Sequence, residues 1–391
     1  MFTFVAQKTS MNLEHIKSLF LQHKEAHLCH RYITNNHIAP LLKKLENVVK
    51  VAIIGKSVLN DSIYSIEIGH GEKRILMWSQ MHGNESTTTK AIFDLLNTLL
   101  DTKSDTAHIL SSCTIYIIPI LNPDGANVYT RINANKVDLN RDAQDLSQPE
   151  SHVLKKVFES FKPHFCYNLH GQRTIFSAGK TNNVATVSFL APAQDKACTI
   201  TSNRKVAMEV IGVMNTILQD IIPNQVGVYD DAFNLNCVGD TFQSKNVPTI
   251  LFEAGHFKDD YGRESTRMFI YISLLESLDY IAKNNISGKD YKNYLKIPEN
   301  GKLFYDVIIR NAKIKDTIID IGILYQEKLI NNKVCFVPKV EKMENLDGFY
   351  GHREINAKGS VVLNGSGQPL QVDYENVCVM MNNEEISLLL K

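Results

Sequence analysis

The chain has 391 residues, of which 44% are hydrophobic and 21% are charged, and its 42 basic residues balance 42 acidic ones. This composition is ordinary for a globular protein with a sizeable core, and it excludes a disordered or fibrous chain. Because the formal net charge is zero and no basic stripe occurs, we expect no nucleic-acid partner. No run of apolar residues approaches the ~18 that a membrane helix needs, so we expect no membrane span.

The N-terminus and the cysteines together predict a cytoplasmic protein. The first segment reads MFTFVAQKTSMNLEHIKSLF, which lacks the basic start, the apolar stretch and the small-residue cleavage site of a secretory signal. The seven cysteines are widely spaced and form no C-x-x-C pair. This pattern favours free thiols in a reducing compartment over a disulfide framework or a cysteine zinc site.

Hydrophobic periodicity predicts a helical N-terminal extension, followed by strands that alternate with helices. We expect an amphipathic helix over 12–30 and a second helix over 38–49. The later strands are almost continuously apolar, as in CTIYIIPIL, which is typical of a sheet that helices cover on both faces. In chain order, the predicted strands are 51–54, 64–68, 74–79, 113–121, 165–169, 186–190 and 249–252, and the later helices are 86–100, 149–161, 197–222 and 263–282.

The composition changes near residue 283 and predicts a second unit. The stretch 285–300 is polar and turn-rich, as expected of a linker. Short strand-like runs separated by Asn, Gly, Lys and Asp then indicate a small all-β domain over 301–391. The predicted fold class is therefore α/β, with a mixed, largely parallel central sheet flanked by helices over 1–284, plus this C-terminal β domain; residues 1–30 are the helical extension.

Side chains that can bind a metal follow two of the predicted strands. SQMHGNES comes directly after strand 74–79 and contains His82 and Glu85, and YNLHGQR places His170 at the end of strand 165–169. Sites in such folds gather where loops leave the strand ends. Two imidazoles and one carboxylate leave a fourth position for water, which is the pattern of catalytic zinc. Taken alone, the first segment could equally be a solvated loop, and a lone histidine after a strand is more often structural than a ligand.

Two further segments carry charged side chains at strand ends or in turns. NPDGANVYTRINANKVDLNRD contains Arg131, Asp138, Asn140 and Arg141, and arginine suits a two-pronged grip on a carboxylate. On its own, this stretch could be an ordinary surface loop. Glu253 follows an apolar strand in PTILFEAGH, where a carboxylate is expected only if it is hydrogen-bonded, metal-bound or catalytic.

In this order and spacing, the segments resemble the zinc carboxypeptidases, the carboxypeptidase A-like metallopeptidases, over roughly residues 30–282. The resemblance implies the zinc-carboxypeptidase, or phosphorylase-like, fold for the catalytic domain. It also implies one Zn²⁺ per chain, with His82, Glu85 and His170 as the metal ligands.

The resemblance further implies a role for each of the other charged residues. Glu253 corresponds to the general base and proton shuttle, and Arg131 to the arginine that polarises the scissile carbonyl. Asn140 and Arg141 correspond to the pair that holds the terminal carboxylate of the substrate. Two further matches are Asp138, which would fix the imidazole of His82, and Tyr229 in GVYDDAF, for the tyrosine that closes over the substrate.

The first hypothesis is therefore a zinc-dependent metallocarboxypeptidase. It would hydrolyse the C-terminal peptide bond of a peptide with a free carboxylate, by a metal-activated water with Glu253 as general base. An alternative is a zinc amidohydrolase of N-acyl amino acids or cell-wall peptides, as in the aspartoacylase and succinylglutamate desuccinylase branch. A third is a catalytically silent binding protein, although none of the residues that the chemistry needs is missing.

A second histidine cluster has a simpler interpretation. QHKEAHLCH places His23, His27 and His30 on one face of the predicted helix over 12–30. This arrangement lacks the H-E-x-x-H order of helix-borne zinc peptidases. We interpret it as a surface or interface helix.

Overall fold

The computed structural model describes residues 11–390. Residues 1–10 of the predicted extension, and residue 391 of the predicted β domain, lie outside this range. Helices α1–α9 span Leu13–His23, Asn35–Leu45, Thr87–Leu100, Ala107–Ser112, Pro123–Val128, Pro149–Phe161, Ser202–Gln219, Val238–Ser244 and Glu264–Lys283, and short 3₁₀ helices span Leu139–Arg141 and Tyr291–Lys296. Strands β1–β17 span Lys50–Lys56, Ser62–Gly69, Lys73–Ser79, Cys113–Ile118, Phe165–Gly171, Phe176–Ala178, Val187–Leu190, Val226–Val228, Thr249–Ala254, Asn300–Lys302, Phe304–Ile314, Thr317–Ile330, Lys333–Glu344, Tyr350–Asn356, Val362–Asn364, Cys378–Met381 and Glu384–Ser387.

A twisted eight-stranded sheet forms the centre of the molecule, in the order β1-β2-β4-β3-β5-β9-β7-β8. The strands β4, β3, β5 and β9 run parallel to one another, and β7 pairs in parallel with β8. The pairs β1–β2, β2–β4 and β7–β9 are antiparallel. The predicted fold class, a mixed and largely parallel sheet with helices, is confirmed.

Helices cover both faces of this sheet, which explains why its inner strands are apolar throughout. In β3, Ile75 and Met77 belong to the core on one face, whereas Leu76 and Trp78 belong to the core on the other. Successive side chains of a strand point to opposite faces, so a strand covered on both sides has no polar face. The larger core includes residues of α1, α2, α3, α7 and α9, and the smaller one includes residues of α6 and α8.

The order of the central strands brings the predicted site residues together. Strands β3, β5 and β9 are neighbours and parallel, so their carboxyl ends meet at one edge of the sheet. In the β5–β9 ladder, His170 lies directly opposite Glu253. The loop after β3 carries His82 to the same edge.

The C-terminal part of the chain forms two further sheets with their own core. Strands β13-β12-β11-β14 make a four-stranded sheet, and β15-β16-β17 make a three-stranded one. A separate hydrophobic cluster, which includes Val307, Ile323 and Val379, fills the space between them. Several contacts join this region to the rest of the molecule, among them Arg31 Nη2–Glu327 Oε2 at 2.9 Å and Tyr261 Oη–Asp306 Oδ1 at 2.8 Å. The division of the chain at 284 and 301 stays a prediction.

The predicted helix over 12–30 was wrong in its second half, because it ends at His23. A distant charge pair binds the backbone that follows: Asp94 accepts from the backbone N–H of Glu25 at 2.7 Å, and Arg267 donates to the carbonyls of Glu25 and Leu28. His27 and His30 therefore lie outside the helix.

Other differences concern boundaries and short elements. The second helix is Asn35–Leu45 rather than 38–49, the strand predicted over 113–121 ends at Ile118, and the helix predicted over 197–222 is Ser202–Gln219. The short helices α4, α5 and α8 were not predicted. Among residues 11–390, no helix is long and apolar enough to cross a membrane.

Candidate active site

Three predicted metal ligands converge at the carboxyl edge of the central sheet. His82 Nδ1 lies 2.9 Å from Glu85 Oε1, and His170 Nδ1 lies 2.9 Å from Glu85 Oε2. The two imidazole Nδ1 atoms are 3.0 Å apart. In the part of the chain that the structure describes, this is the one group of three or more such residues whose ligand atoms all lie within 4.8 Å of one another.

This donor set fits a zinc ion. Two nitrogens bound to a tetrahedral Zn²⁺ at ~2.0–2.1 Å lie ~3.3 Å apart, which is close to the separations within this cluster. His82 and His170 are each 2% exposed, so their lone pairs are shielded from bulk water. Such a buried cluster of imidazoles and a carboxylate is a common environment for a borderline-soft metal.

The loop that carries His82 depends on a close approach of two backbones. A Cβ atom on Gly83 would lie 2.0 Å from the carbonyl carbon of Gly125 in α5, so only glycine fits. Asn122 caps α5 by accepting from the N–H of Gly125 at 2.9 Å, and its amide donates to the carbonyl of Met81 at 3.2 Å. The NPDG segment therefore supports the loop that carries His82, a role that the sequence did not reveal.

Asp138 contacts His82 at Nε2, the ring nitrogen that faces away from Glu85 and His170. Its Oδ1 accepts from His82 Nε2 at 3.0 Å and from the backbone N–H of Asn140 at 2.9 Å. Its Oδ2 accepts from Arg131 Nε at 3.0 Å. Burial alone would raise the pKa of Asp138, but His82 and Arg131 outweigh it and hold this pKa well below its usual range. Such a carboxylate fixes the tautomer of a ligand imidazole, leaving its Nδ1 free for a metal.

The pKa values of Glu85 and Glu253 are shifted in opposite directions. Burial disfavours ionisation of Glu85, but His82 and His170 more than offset it, so the pKa of Glu85 is strongly lowered. Burial and the neighbouring charge of Glu85 raise the pKa of Glu253 well above its usual value. Glu253 Oε2 is buried and has no hydrogen-bond partner among the described residues.

The two imidazoles also differ from each other. Burial lowers the pKa of His82, but Glu85 and Asp138 reverse this effect and raise it overall. For His170, burial dominates and lowers the pKa, and its Nε2 is buried without a partner in residues 11–390. A cation in the cluster would find at least one neutral imidazole ready to bind it.

The predicted carboxylate-binding pair lies in the 3₁₀ helix Leu139–Arg141, and the exposed Arg141 donates to the carbonyl of Asn140 at 2.8 Å. The side-chain oxygen of Asn140 accepts from the N–H of Val238 at 3.1 Å, which ties this turn to the start of α8. Tyr229 follows β8 and packs its ring against Phe176, with the ring centroids 5.3 Å apart. Arg141, Asn140 and Tyr229 all line the same cleft as the ligand cluster.

This cleft has a volume of about 1040 Å³. One wall comes from the central sheet and its loops, including Arg131, Arg263 and Asp240. Another wall comes from the C-terminal sheets and was not predicted. It includes Gln326, Glu327, Phe336, Lys339 and Glu341. No local sequence signal marks these residues, since β12 and β13 look like ordinary amphipathic strands.

The sequence of this region matches the family model of the zinc carboxypeptidases over residues 34–195. Over these residues, the chain is similar to the zinc carboxypeptidases. The matched range contains His82, Glu85 and His170, together with Arg131 and Arg141. The predicted resemblance is thereby confirmed, whereas the role of each site residue stays a prediction.

Individual relatives agree with this family. Carboxypeptidase 2 of Trichophyton rubrum is 30% identical over 124 residues, which cover 31% of this chain and 22% of that protein. Carboxypeptidase SOL1 of Arabidopsis thaliana is 28% identical over 182 residues, which cover 40% of this chain and 37% of the relative. The matched carboxypeptidase segment thus spans between about a fifth and just over a third of these relatives' length.

The fold is also that of solved carboxypeptidases. A metallo-carboxypeptidase from Burkholderia cenocepacia superimposes with a TM-score of 0.52 at 16% identity, covering 64% of this chain and 70% of that one. At this level of identity the similarity concerns the fold alone.

Proposed function

We propose that this chain is a zinc-dependent metallocarboxypeptidase that removes the C-terminal residue of peptides. The observation that carries the proposal is the convergence of His82, Glu85 and His170 on one point beside Glu253, whose Oε2 atom is buried. We propose that these three residues hold one zinc ion, which when bound would supply Lewis-acid activation of a water and of the scissile carbonyl.

Glu253 is suited to the role of general base. Its carboxylate is buried next to His170 on the neighbouring strand, and its raised pKa gives it a high affinity for a proton. It would accept a proton from the attacking water at Oε2, the oxygen without a hydrogen-bond partner in the described residues. It would then donate this proton to the leaving amine, as the same group must act as base and acid in the two halves of the reaction.

Arg131 is suited to stabilise the negative charge that develops on the carbonyl oxygen. Its Nε is held by Asp138, and its Nη1 lies 3.4 Å from Glu85, so the guanidinium is anchored beside the ligand cluster. Its side chain is 47% exposed, which leaves its remaining N–H groups accessible from the cleft. Donors that are fixed before the reaction contribute most to such stabilisation.

Arg141 and Asn140 would hold the terminal carboxylate of the substrate. Arg141 is exposed in the cleft, and Tyr229 lies in the lining of the same cleft, where it would cover the bound residue. An anchored carboxylate fixes which peptide bond lies over the ligand cluster, so cleavage would be confined to the last residue.

The proposal is tested by incubating the zinc-loaded protein with a peptide library and analysing the products by mass spectrometry. We expect loss of single C-terminal residues and no internal cleavage. Glu253→Gln should retain zinc but lose turnover by about 10²–10⁴-fold, the usual contribution of general acid–base catalysis. Full activity in this variant would remove Glu253 from the mechanism, and internal cleavage would refute the exopeptidase proposal.

A second candidate is hydrolysis of N-acyl amino acids, because Arg141 and Asn140 in the cleft would hold their free carboxylate in the same way. Blocked dipeptides and N-acyl amino acids compared side by side distinguish the two candidates. We further propose that residues 1–284 form the catalytic unit, that residues 285–300 are a linker and that residues 301–391 form a C-terminal β domain. A cytoplasmic location is likewise a proposal, which the seven free cysteines support, all of them in the described range.

A further inference from the structure

A second large cavity lies next to the proposed active-site cleft. It has a volume of about 1310 Å³ and is bounded by the segment 27–37, the loop 258–262, the C-terminal sheets and residues 389–390. Ligand sites in proteins typically measure about 300–1,000 Å³, so this cavity has room for several residues of a peptide.

The two cavities meet at a shared group of side chains. Five residues line both of them: Arg31, Tyr261, Asp306, Tyr325 and Phe336. The residues of the proposed carboxylate anchor, Asn140 and Arg141, line only the active-site cleft. The second cavity therefore joins the cleft away from the position of the substrate's last residue.

Three of the shared residues form an aromatic cluster, which we define as Tyr261, Tyr325 and Phe336. The ring of Tyr261 lies 5.3 Å from each of the other two rings, edge to face. Asp306 fixes this cluster by accepting from Tyr261 Oη at 2.8 Å and from the N–H of Tyr325 at 2.7 Å. Each of the three rings is only partly buried, so the cluster presents aromatic surface to the cavities. A rigid aromatic surface of this kind binds apolar side chains at a low cost in conformational entropy.

The charges around the second cavity restrict its occupant further. Lys258, Lys333 and Arg353 line it, and Asp259 is the one exposed acid that does so within the described residues. A basic side chain would therefore be repelled, whereas an apolar one would bury area against the aromatic cluster.

We propose that the aromatic cluster is a subsite for the residues upstream of the scissile bond, and that it selects a large apolar side chain. This inference rests on the proposed carboxypeptidase function. A peptide whose carboxylate is bound by Arg141 must continue past the metal ligands, and its upstream residues then enter the second cavity. The C-terminal β region thus contributes directly to substrate choice.

The test compares peptides in which a single Phe, Ala or Lys is moved through the upstream positions. We expect one position at which kcat/KM falls in the order Phe, Ala, Lys, with about tenfold between Phe and Ala. In Phe336→Ala, the preference for Phe should fall about tenfold through KM. The loss of activity in Phe336→Ala should be smaller on a blocked dipeptide, which has fewer upstream residues, than on the longer peptides.

Two controls keep the test decisive. Tyr374→Ala removes an aromatic side chain that is 57% exposed and lines neither cavity, so it should leave the preference unchanged. Phe336→Leu keeps an apolar side chain and should retain part of the preference, which separates a local effect from misfolding.

Several results would overturn the inference. A loss in Phe336→Ala that is equal on blocked dipeptides and longer peptides would mean a general structural role. A changed oligomeric state with unchanged KM would make the surface an interface between copies of the chain. If wild-type protein hydrolyses no peptide, the proposed function fails, and the inference is then decided by fluorescence anisotropy of the same labelled peptides. Equal affinity for the Phe and Lys peptides would refute it.

Discussion

Asp138 offers the sharpest test of the proposed metal site, because it touches a ligand without being one. It accepts from His82 Nε2, from the N–H of Asn140 and from Arg131 Nε, all at 2.9–3.0 Å. In Asp138→Asn, one of the two carboxylate oxygens becomes an NH₂ group. Whichever way the amide turns, this NH₂ faces a donor, either Arg131 Nε or the N–H groups of His82 and Asn140.

The expected effect follows from these lost contacts. Removing the partner of a ligand imidazole typically lowers metal affinity 10–100-fold, or about 1.4–2.7 kcal/mol. We therefore expect the dissociation constant for zinc, measured by competition with a chromophoric chelator, to rise 10–100-fold. At saturating zinc, kcat should still fall, because Arg131 has lost its anchoring carboxylate.

Asp145→Asn is the matched control, since it makes the same change of charge on an exposed residue of the same loop. It should alter the zinc dissociation constant less than twofold. If Asp138→Asn binds zinc within threefold of the wild-type affinity while remaining folded, then Asp138 does not orient His82. The low pKa of Asp138 would then have no consequence for metal binding.

Two further predictions concern substrate anchoring and stability. Arg141→Ala should raise KM for peptides with a free carboxylate by at least tenfold and leave amide-capped peptides nearly unaffected; an equal loss on both would exclude an anchoring role. Glu276 is fully buried, and burial together with Asp279 raises its pKa to about 7. Folding therefore disfavours the ionised form of Glu276. The resulting loss of stability is absent below the pKa that Glu276 has in the unfolded chain, and it reaches its full size above about pH 8. Glu276→Gln should stabilise the protein by about 2 kcal/mol at pH 8.5, or ~2 °C in Tm, with no gain at pH 4; a gain independent of pH would contradict this.

The sequence predicted best what depends on local pattern. The predicted strands over 74–79, 165–169 and 249–252 agree with β3, β5 and β9 to within two residues at each end. These strands are buried on both faces, so each is an almost continuous apolar run. The change to polar residues after the run marks the end of the strand. Because His82, His170 and Glu253 follow or end these strands, their convergence could be anticipated once a parallel sheet was expected.

What the sequence could not predict depends on contacts between distant residues. The first helix ends at His23 because Arg267 binds the backbone carbonyls of Glu25 and Leu28. Arg267 is distant in sequence, so the hydrophobic periodicity of the helix could not predict this contact. The second wall of the cleft is a similar case. Glu327 reaches Arg31 and Tyr129 from a strand that, in sequence, resembles any other half-buried strand.

The opposite pKa shifts of Glu85 and Glu253, which are both partly buried, are the strongest physical argument for the proposed catalytic site. Glu85 and Glu253 share one pocket, yet the pKa of Glu85 is lowered by its two imidazole neighbours, whereas burial and the charge of Glu85 raise that of Glu253. A purely structural network would satisfy both carboxylates, because a buried acid without a partner destabilises the fold. One carboxylate that stays ionised beside one that readily takes up a proton is instead the arrangement by which a site separates charge stabilisation from proton transfer. The roles proposed for Glu85 and Glu253 thus follow from their surroundings, since the two residues are chemically identical.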